Sequence, residues 1–151
     1  MIDDTDIEIL TILQNNARTP NAEIARKVGM TTSGIFDRLK RLESRGVIKG
    51  HKTIVDPRAL GLVLLAFVSV RLSPARKARE VGGKIAEIAG IQEVFQMAGE
   101  ECFLCKVRCR DTEDLEKVLE RINAIDTVSG TQTNIALRAV KESPELPGRP
   151  E

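Results

Sequence analysis

The segment TTSGIFDRLKRLESRGVI, residues 31–48, decides how the N-terminal part of this chain folds. Ile35, Leu39 and Leu42 recur at i, i+4 and i+7, so they share one face of a helix and predict that this face is packed. The polar and basic side chains between them are left on the opposite face. The outward residues of this helix are Thr32, Ser33, Phe36, Asp37, Lys40 and Arg41.

Both ends of this helix are marked in the sequence. Thr31 or Thr32 is suited to cap its first turn, and Gly46 stands where a left-handed residue ends a helix. Residues 47–57, VIKGHKTIVDP, then hold β-branched clusters and end at an Asp-Pro stop. We therefore expect a strand-bearing hinge that closes a winged or semi-winged head.

Two shorter helices are predicted before it. Asp3 can cap the first, with Asp6 three residues later as its capping-box partner. The apolar stripe of this first helix is Ile7, Leu10, Ile12 and Leu13. Thr19 followed by Pro20 is a cap-then-proline start for the second helix, and Gly29 ends it. Three short helices with a tight turn between the second and the third form the helix-turn-helix pattern.

The second half of the chain alternates strand-like and helix-like patterns. Strands are predicted at 63–72, 91–97, 102–109 and 128–140, with one helix opened by Ser73-Pro74 and ended by Gly90 and another capped by Asp111. The short Gly99-Glu100-Glu101 turn joins the two middle strands into an antiparallel hairpin. The predicted fold class is therefore α+β: a winged helix-turn-helix head followed by a ferredoxin-like βαββαβ domain of the dimeric α+β barrel type.

This order divides the chain into three parts. Residues 1–60 form the helix-turn-helix domain with its hinge, residues 61–141 form the sheet domain, and residues 142–151 form a polar, proline-rich tail that we expect to be disordered. Two helices cover only one face of a four-stranded sheet, so an apolar second face needs a partner. The residues expected to make that face apolar are Leu65, Phe67, Phe103, Cys105 and Val107. Homodimerisation through it would bring two heads to DNA half-sites roughly 34 Å, or a multiple of it, apart.

Composition limits the function classes that remain open. The 151 residues carry a net charge of +1, so any nucleic-acid surface must come from a local patch. With no Trp or Tyr and only four Phe, the chain lacks the aromatic platforms that bind single strands, and duplex DNA remains the candidate partner. The longest apolar run, residues 62–70, is too short for a bilayer span, and the acidic N-terminus is unlike a signal peptide. We expect a cytoplasmic protein with no membrane partner.

Basic side chains outnumber acidic ones on the third helix and continue into the hinge. Cations here can contact phosphates, which position a protein on duplex DNA. Thr32, Ser33 and Phe36 lie near the N-terminal end of the helix, where they can meet base edges and thymine methyl groups. The predicted DNA-binding residues are Thr32, Ser33, Phe36, Asp37, Arg38, Lys40, Arg41 and Lys49. The alternative is a solvated face with ion pairs inside the helix, such as Asp37 with Arg41.

Two segments together resemble one family. The head, DDTDIEILTILQNNARTPNAEIARKVGMTTSGIFDRLKRLESRGVIKG with the following DPRALG, is similar to the DNA-binding half of the Lrp/AsnC, or feast/famine, transcription factors. GIQEVFQMAGEECFLCKVRCRDTEDLEKVLERINAI is similar to their effector-sensing half, and the likeness spans about residues 2–140. The resemblance implies a sequence-specific DNA-binding regulator whose second helix-turn-helix helix enters the major groove. It also implies homodimers built through the C-terminal sheets and assembled further into tetramers or octamers, with small amino acids as effectors bound between dimers.

The resemblance also identifies an effector region. In the family the turn between the middle strands is commonly Gly-x-x-Asp; Gly99 fits, but Cys102 stands where the Asp would be. Glu100 or Glu101 is left to anchor an ammonium group, and Thr127 occupies a place that is often Gly. The expected effector-binding residues are Gly99, Glu100, Glu101, Cys102, Thr131 and Thr133. We therefore expect an altered or absent response to ordinary amino acids.

Metal and enzyme chemistry are the remaining alternatives. Cys102, Cys105 and Cys109 have a metal-like spacing, but on a strand Cys102 faces away from the other two, which favours core or interface thiols. Some proteins of this architecture resemble haem-precursor decarboxylases, yet the C-terminal half has no His or Tyr to act as an acid or base. We predict no catalytic residues, no metal and no cofactor. A sequence-tolerant, architectural DNA-coating protein is the closer alternative.

Overall fold

The computed structural model describes residues 2–73, 78–99 and 102–146. Within these, residues 2–54 and 141–146 form one compact unit, and residues 55–140 form a second. The two units meet between residues 54 and 55, which is earlier in the chain than the predicted boundary between residues 60 and 61. The difference arises because a 3-10 helix at Pro57–Leu60 belongs to the second unit. No helix in the described ranges is long and apolar enough to cross a membrane.

The first unit holds three helices, which confirms the predicted helix-turn-helix order. They are α1 (Asp4–Asn15), α2 (Asn21–Val28) and α3 (Thr32–Ser44). Asp3 caps α1 as predicted, because its carboxylate accepts the amide of Asp6 at 2.8 Å. Thr31 caps α3 by accepting the amide of Gly34 at 3.1 Å. The chain leaves α3 through Gly46, whose φ of 69° is left-handed.

A small apolar core lies at the centre of this unit. Its buried residues are Ile9, Ile24, Ala25 and Ile35, one or two from each helix. The predicted stripe on α1 is wrong at its centre, because Ile9 is the fully buried residue while Ile12 and Leu13 pack only around it. α1 carries apolar residues on several sides, so periodicity alone does not decide which side turns toward α2 and α3.

The start of α2 also differs from the prediction. Thr19 does not cap the helix: its hydroxyl donates to the carbonyl oxygen of Asn16 at 2.8 Å. Pro20 occupies the cap position without a side-chain hydrogen bond, and the helix begins at Asn21. Relative to the start of α2, Thr19 and Pro20 therefore each lie one position earlier than predicted. The hydroxyl of Thr19 is hydrogen-bonded to the preceding turn and not to the first turn of α2.

The strand expected in the hinge is absent from the described residues. Residues 49–56 contain neither helix nor strand. The amides of Val47 and Ile48 donate to the carbonyl oxygen of Leu42, at 2.9 and 3.2 Å, so both residues belong to the turn that ends α3. β-branched residues form a strand where a neighbouring strand can pair with them, and the described part of the chain places no such neighbour at this point.

The C-terminal tail is described in part. Residues 142–146 have neither helix nor strand, and the amide of Leu146 donates to the side-chain oxygen of Gln14 at 2.8 Å. The rest of the predicted disordered tail, residues 147–151, lies outside the described residues. The described end of the tail therefore belongs to the first unit.

The second unit confirms the predicted βαββαβ order. Its elements are β1 (Leu64–Leu72), α4 (Ala78–Ala86), β2 (Ile91–Gln96), β3 (Phe103–Cys109), α5 (Thr112–Asn123) and β4 (Val128–Ala136). The strands form one antiparallel sheet in the order β2-β3-β1-β4, which is the ferredoxin-like topology. β4 ends at Ala136 and not at the predicted Val140, and Pro74, predicted to open α4, lies outside the described residues.

The two helices cover one face of this sheet, and strand alternation decides which residues meet them. Val68 of β1 pairs with Cys105 of β3, and both belong to a buried core that also holds Phe103 and Val107. The prediction that Phe103, Cys105 and Val107 make the uncovered face apolar is therefore wrong. β3 alternates this apolar set with a more polar one, and the apolar set is the one that meets the helices. The β3 residues turned away from the helices are Leu104, Lys106 and Arg108.

The uncovered face of the sheet carries both apolar and charged residues. Leu65 and Phe67 lie on it as predicted, and Phe95 of β2 lies there opposite Leu104. The Nζ of Lys106 is 3.3 Å from a carboxylate oxygen of Glu93 on the same face. We call this surface the open sheet face. Its main members are Leu65, Phe67, Glu93, Phe95, Leu104 and Lys106.

Candidate nucleic-acid interface and effector region

The outward side of α3 carries the residues that the sequence places there. Ile35 and Leu42 are fully buried, whereas Phe36, although apolar, is 58% exposed. At about 100° per residue, the exposed side chains fall on one arc opposite the buried ones. We call this surface the outer arc of α3, and its residues are Ser33, Phe36, Asp37 and Lys40. Thr32 in the first turn and Lys49 beyond the helix are exposed as well.

Arg38 lies away from the outer arc. Its side chain is 22% exposed, and Nη1 donates to Oδ1 of Asp6 at 2.7 Å and to Oδ2 of Asp3 at 2.7 Å. Both carboxylates belong to the N-terminal end of α1. The guanidinium that the sequence assigns to a phosphate is therefore occupied in joining α3 to α1.

Arg41 lies between this ion pair and solvent. Its Nη2 is 3.2 Å from Oδ1 of Asp6, and its side chain remains 49% exposed. The alternative prediction paired Arg41 with Asp37 inside α3, but the carboxylate that it meets is on α1. We call the group of Asp3, Asp6, Arg38 and Arg41 the Asp6 cluster.

The Asp6 carboxylate is buried and yet ionised. Burial works to raise its pKa, but the hydrogen bonds from Arg38 and from the Asp3 amide outweigh it, and the pKa of Asp6 lies below its ordinary value. The hydrogen bonds from Arg38 and from the Asp6 amide also lower the pKa of Asp3. The same two carboxylates raise the pKa of Arg38. At neutral pH the cluster therefore holds two carboxylates facing two guanidinium groups.

Asp6 was not among the residues predicted for this surface, although the sequence contains a signal for it. Asp6 lies three residues before Ile9 and seven before Leu13, so it shares their face of the helix. A carboxylate on a packed face is costly unless it is paired. That position therefore predicts a cation on a neighbouring helix, and Arg38 and Arg41 on α3 supply it.

Cys102 and Thr131, two of the expected effector residues, lie toward one end of the sheet, and Thr133 lies nearer its middle. The amide of Cys102 donates to the carbonyl oxygen of Val70 at 2.9 Å, and Thr131 pairs with the same residue from the other side. Because β1 separates them, Cys102 and Thr131 are two strand spacings, about 10 Å, apart. Thr133 pairs with Val68, so both threonines share the helix-covered side and are half-buried. Cys102 is itself buried and presents no polar group to solvent.

The turn and the loop beside these residues complete the region. Gly99 is exposed and has a φ of 126°, a conformation that favours glycine, while Glu100 and Glu101 lie outside the described residues. The Oγ1 of Thr127 is buried without a hydrogen-bond partner in the described part of the chain. The carbonyl oxygen of Thr127 accepts the amide of Ser73 at 2.9 Å. The sequence marks Thr127 only as a departure from a family glycine and gives no sign of this unpaired hydroxyl.

The three cysteines are free thiols in the core of the second unit. The expectation that Cys102 faces away from Cys105 and Cys109 is wrong, because Cys102 precedes the first residue of β3 and does not follow its alternation. Burial raises the pKa of Cys105 to about 11, and burial together with the Asp114 carboxylate raises the pKa of Cys109. The thiols of Cys105 and Cys109 are therefore protonated at neutral pH and pack as small apolar side chains.

A helix-turn-helix unit with an exposed third-helix surface, together with a ferredoxin-like unit in the same chain, defines a class of DNA-binding regulators with a separate ligand-binding domain. Residues 2–49 match the winged helix-turn-helix DNA-binding family. Residues 65–146 match the Lrp/AsnC ligand binding domain. The chain belongs to the Lrp/AsnC family of transcriptional regulators, which confirms the resemblance found in the sequence.

Relatives agree with this assignment in sequence and in fold. The chain is 37% identical over 147 residues to the HTH-type transcriptional regulator FL11 of Pyrococcus furiosus, with 97% of each chain covered. It superposes with a TM-score of 0.89 and 29% identity on a transcriptional regulator from Neisseria meningitidis in complex with L-methionine, over 97% of each chain. A feast or famine regulatory protein from M. tuberculosis complexed with L-methionine gives a TM-score of 0.89 and 28% identity, over 97% of this chain and 99% of that one. The chain is therefore a transcriptional regulator with a helix-turn-helix DNA-binding domain.

Proposed function

We propose that this regulator recognises specific duplex sequences by placing the outer arc of α3 in the major groove. The observation that carries the proposal is the position of Phe36, which is 58% exposed between Ser33 and Lys40 on a helix whose opposite face is buried. An aromatic ring suits thymine methyl groups, a hydroxyl suits base edges and an ammonium suits phosphates. The outer arc therefore combines the three kinds of contact that a recognition helix needs.

Each exposed residue of α3 has its own role in this proposal. Thr32 and Ser33 lie at the N-terminal end of the helix, which is the part that meets base edges in helix-turn-helix proteins. Asp37 accepts from a cytosine amino group. The phosphate contacts come from Lys40, Arg41 and Lys49. Arg38 contacts α1 in place of DNA.

Binding titrations on a selected duplex and on a random-sequence duplex test these roles. Replacing Lys40 and Arg41 together with Ala should weaken binding to both duplexes and flatten the salt dependence, because phosphate contacts are sequence-independent. Replacing Ser33 or Phe36 with Ala should reduce the preference for the selected sequence and leave the salt slope nearly unchanged. Equal losses for both kinds of variant on both duplexes contradict the assignment.

A sequence-tolerant DNA-coating role is the alternative for the same surface. Footprinting on a long duplex separates the two, because a sequence-specific regulator protects discrete sites and a coating protein protects the DNA continuously. The relatives named above are transcriptional regulators, which supports a regulator and not an enzyme. Continuous protection from the lowest protein concentration that binds would favour the coating role.

We further propose that the open sheet face pairs two copies of the chain. Its apolar members extend over three adjacent strands, and a two-fold partner would cover them. These residues are Phe67, Phe95 and Leu104, together with Leu65, which is already buried in the single chain at 8% exposure. Pairing would bring two heads to half-sites roughly 34 Å, or a multiple of it, apart, and further assembly would give tetramers or octamers. A chain that sediments as a monomer at micromolar concentrations contradicts the proposal.

We also propose an amino-acid effector, with altered specificity, at the end of the sheet near Gly99. The two structures compared above contain L-methionine, and the same kind of ligand is the starting point here. Cys102 is a buried thiol where the family commonly has a carboxylate, so in this proposal the polar contacts come from the hydroxyls of Thr131 and Thr133 on β4, across β1 from Cys102. A thermal-shift screen over the standard amino acids should give no strong stabilisation by leucine or aspartate. A rise of several degrees with either one contradicts this part of the proposal.

A further inference from the structure

We propose that Asp6 is a positioning residue for DNA binding. It holds the guanidinium of Arg41 at the edge of the outer arc, so that the guanidinium is already oriented when it contacts a phosphate. This inference rests on the proposed function of α3. It differs from that proposal because Asp6 lies on α1 and is buried, away from the outer arc of α3. Nothing in the helix-turn-helix pattern assigns such a role to the first helix.

The Asp6 carboxylate is fixed from several directions. Its Oδ1 accepts Nη1 of Arg38 at 2.7 Å and Nη2 of Arg41 at 3.2 Å. Its Oδ2 accepts the backbone amide of Asp3 at 3.2 Å. The side chain is fully buried, so water does not compete for these acceptors. Asp6 is therefore a rigid acceptor on α1, presented to α3.

Arg41 is only partly used by this contact. Its Nη2 also lies 3.4 Å from Oδ2 of Asp6, so both contacts with this carboxylate run through the same nitrogen. The group has five N–H donors in a rigid fork, and the side chain is 49% exposed. A guanidinium held through one nitrogen can offer the others to a phosphate oxygen. The contact therefore reduces the rotamer freedom that a long, exposed side chain loses on binding DNA.

Because Arg38 is the inner partner of Asp6, the contact between Asp6 and Arg41 forms while Arg41 stays partly exposed. Arg38 lies between Asp3 and Asp6 and neutralises one of their two negative charges, with Nη1 within 2.9 Å of three carboxylate oxygens. Arg41 is then the outer member of the Asp6 cluster. The same basic residue is thus shared between the interior of the protein and the proposed DNA surface.

Lys40 provides a matched control within the same helix. It belongs to the outer arc and is proposed to contact phosphate, but it is not a partner of Asp6. If Asp6 acts through Arg41, removing the Asp6 charge should matter when Lys40 is absent and should not matter when Arg41 is absent. If Asp6 only stabilises the fold, its loss should have the same effect in both backgrounds.

The experiment is a double-mutant cycle with the full chain on a fluorescently labelled random-sequence duplex. The variants are Asp6→Asn, Arg41→Ala and Lys40→Ala, with Asp6→Asn combined with each of the other two. We expect Arg41→Ala to weaken binding about 5–10-fold and to lower the salt slope by about 1, and Asp6→Asn alone to weaken it about 3–5-fold. Asp6→Asn should cost less than about 1.5-fold in the Arg41→Ala background and keep its full effect in the Lys40→Ala background. Circular dichroism at the assay temperature confirms that each variant is folded.

Three outcomes have different meanings. An equal Asp6→Asn penalty in the Arg41→Ala and Lys40→Ala backgrounds overturns the inference while leaving the proposed function intact. A wild-type chain that binds no duplex at low salt overturns the proposed function and this inference with it. If Asp6→Asn does not fold, Arg41→Lys decides: it keeps the charge but lacks the fork, so its affinity should stay at least about 3-fold below that of the wild type. Full affinity for Arg41→Lys overturns the inference.

Discussion

Nη1 of Arg38 on the third helix of the head lies 2.7 Å from Oδ1 of Asp6 on the first helix, and the Asp6 side chain is fully buried. This contact ties the proposed recognition helix to the helix that supports it. Removing one partner of a buried ion pair leaves the other charge with less compensation, which is more costly than the loss of an exposed pair. We therefore expect Arg38 to contribute mainly to the stability of the head.

Arg38→Gln tests this directly. We expect the free energy of unfolding of the head to fall by about 2–3 kcal/mol, because Asp6 keeps only Arg41 and the backbone as partners. Urea unfolding of the full chain measures the change. Arg18→Gln, which removes an exposed arginine from the same unit, is the matched control. Equal losses for the two variants would show that the Arg38 pair has no special weight.

The same variant separates stability from DNA contact. Under conditions where Arg38→Gln is fully folded, the slope of the salt dependence of DNA binding should equal that of the wild type, since Arg38 makes no phosphate contact in the proposal. Lys40→Gln, in contrast, should lower the slope by about 1. A lower slope for Arg38→Gln means that Arg38 does reach a phosphate, as the sequence alone predicted.

The Asp6 cluster should also make the head sensitive to acid. The folded-state pKa values of Asp3 and Asp6 are lowered by their contacts, so their stabilising effect is present above the unfolded value, near pH 3.9, and is lost as the pH falls through the folded values. Urea unfolding between pH 2.5 and 6 should show this loss below about pH 4. Asp6→Asn should flatten the curve in that range, whereas Asp4→Asn, on the exposed side of the same helix, should not. A wild-type curve that is already flat contradicts the prediction.

The parts of the fold that the sequence predicted correctly follow local rules. The third helix was predictable because Ile35 and Leu42 repeat at helical spacing between clear caps, and the sheet was predictable because strand-like and helix-like patterns alternate in a fixed order. The prediction of a hinge strand was wrong because a strand forms only where a neighbouring strand pairs with it, and a local sequence pattern does not contain that information. The predicted apolar stripe on α1 was wrong at its centre because Ile9 and its apolar neighbours fit more than one helical face. Packing against the two other helices decides which face is buried.

The candidate site divides in the same way. The exposure of Ser33, Phe36 and Lys40 follows from their spacing relative to the buried residues of one helix, and the sequence contains that information. The hydrogen bond between Arg38 and Asp6 joins residues that are thirty-two positions apart in the chain. It depends on how α1 packs against α3, which is a tertiary relationship. The sequence signal for this contact is a carboxylate, Asp6, at a packed position of the first helix.

Burial makes a prediction for the cysteines of the second unit. The pKa of Cys105 is raised to about 11 and that of Cys109 is raised in the same direction, so their stabilising effect is complete below the unfolded value of 9.0 and is lost as the pH rises toward the folded values. Urea unfolding from pH 8 to 10.5 should show a progressive loss of stability. Cys105→Ala should be less stable at pH 8, because it leaves a cavity, and should lose less on going to high pH. An identical pH slope in the variant contradicts the assignment to Cys105.

The open sheet face gives the last prediction, on assembly. Phe95 is 51% exposed on that face opposite Leu104, while Phe36 is comparably exposed on α3, the proposed recognition helix. The two phenylalanines form a matched pair: the same residue type with similar exposure, on the two surfaces that we assign to different partners. Phe95→Lys should weaken dimerisation at least about 100-fold, since two-fold symmetry places the new charge in the interface twice. Phe36→Lys should leave dimerisation unchanged and alter DNA binding.

Sedimentation equilibrium over a range of protein concentrations measures both variants, with circular dichroism to confirm that their secondary structure is intact. The wild type and Phe36→Lys should sediment as the same oligomer, and Phe95→Lys should dissociate to smaller species within the measured range. Binding of Phe95→Lys to a duplex with two half-sites should weaken as well, because two heads that are no longer linked bind separately. If the wild type sediments as a dimer or larger oligomer and Phe95→Lys sediments in the same way, the open sheet face is not the interface that we propose, and another surface of the chain must pair the two copies.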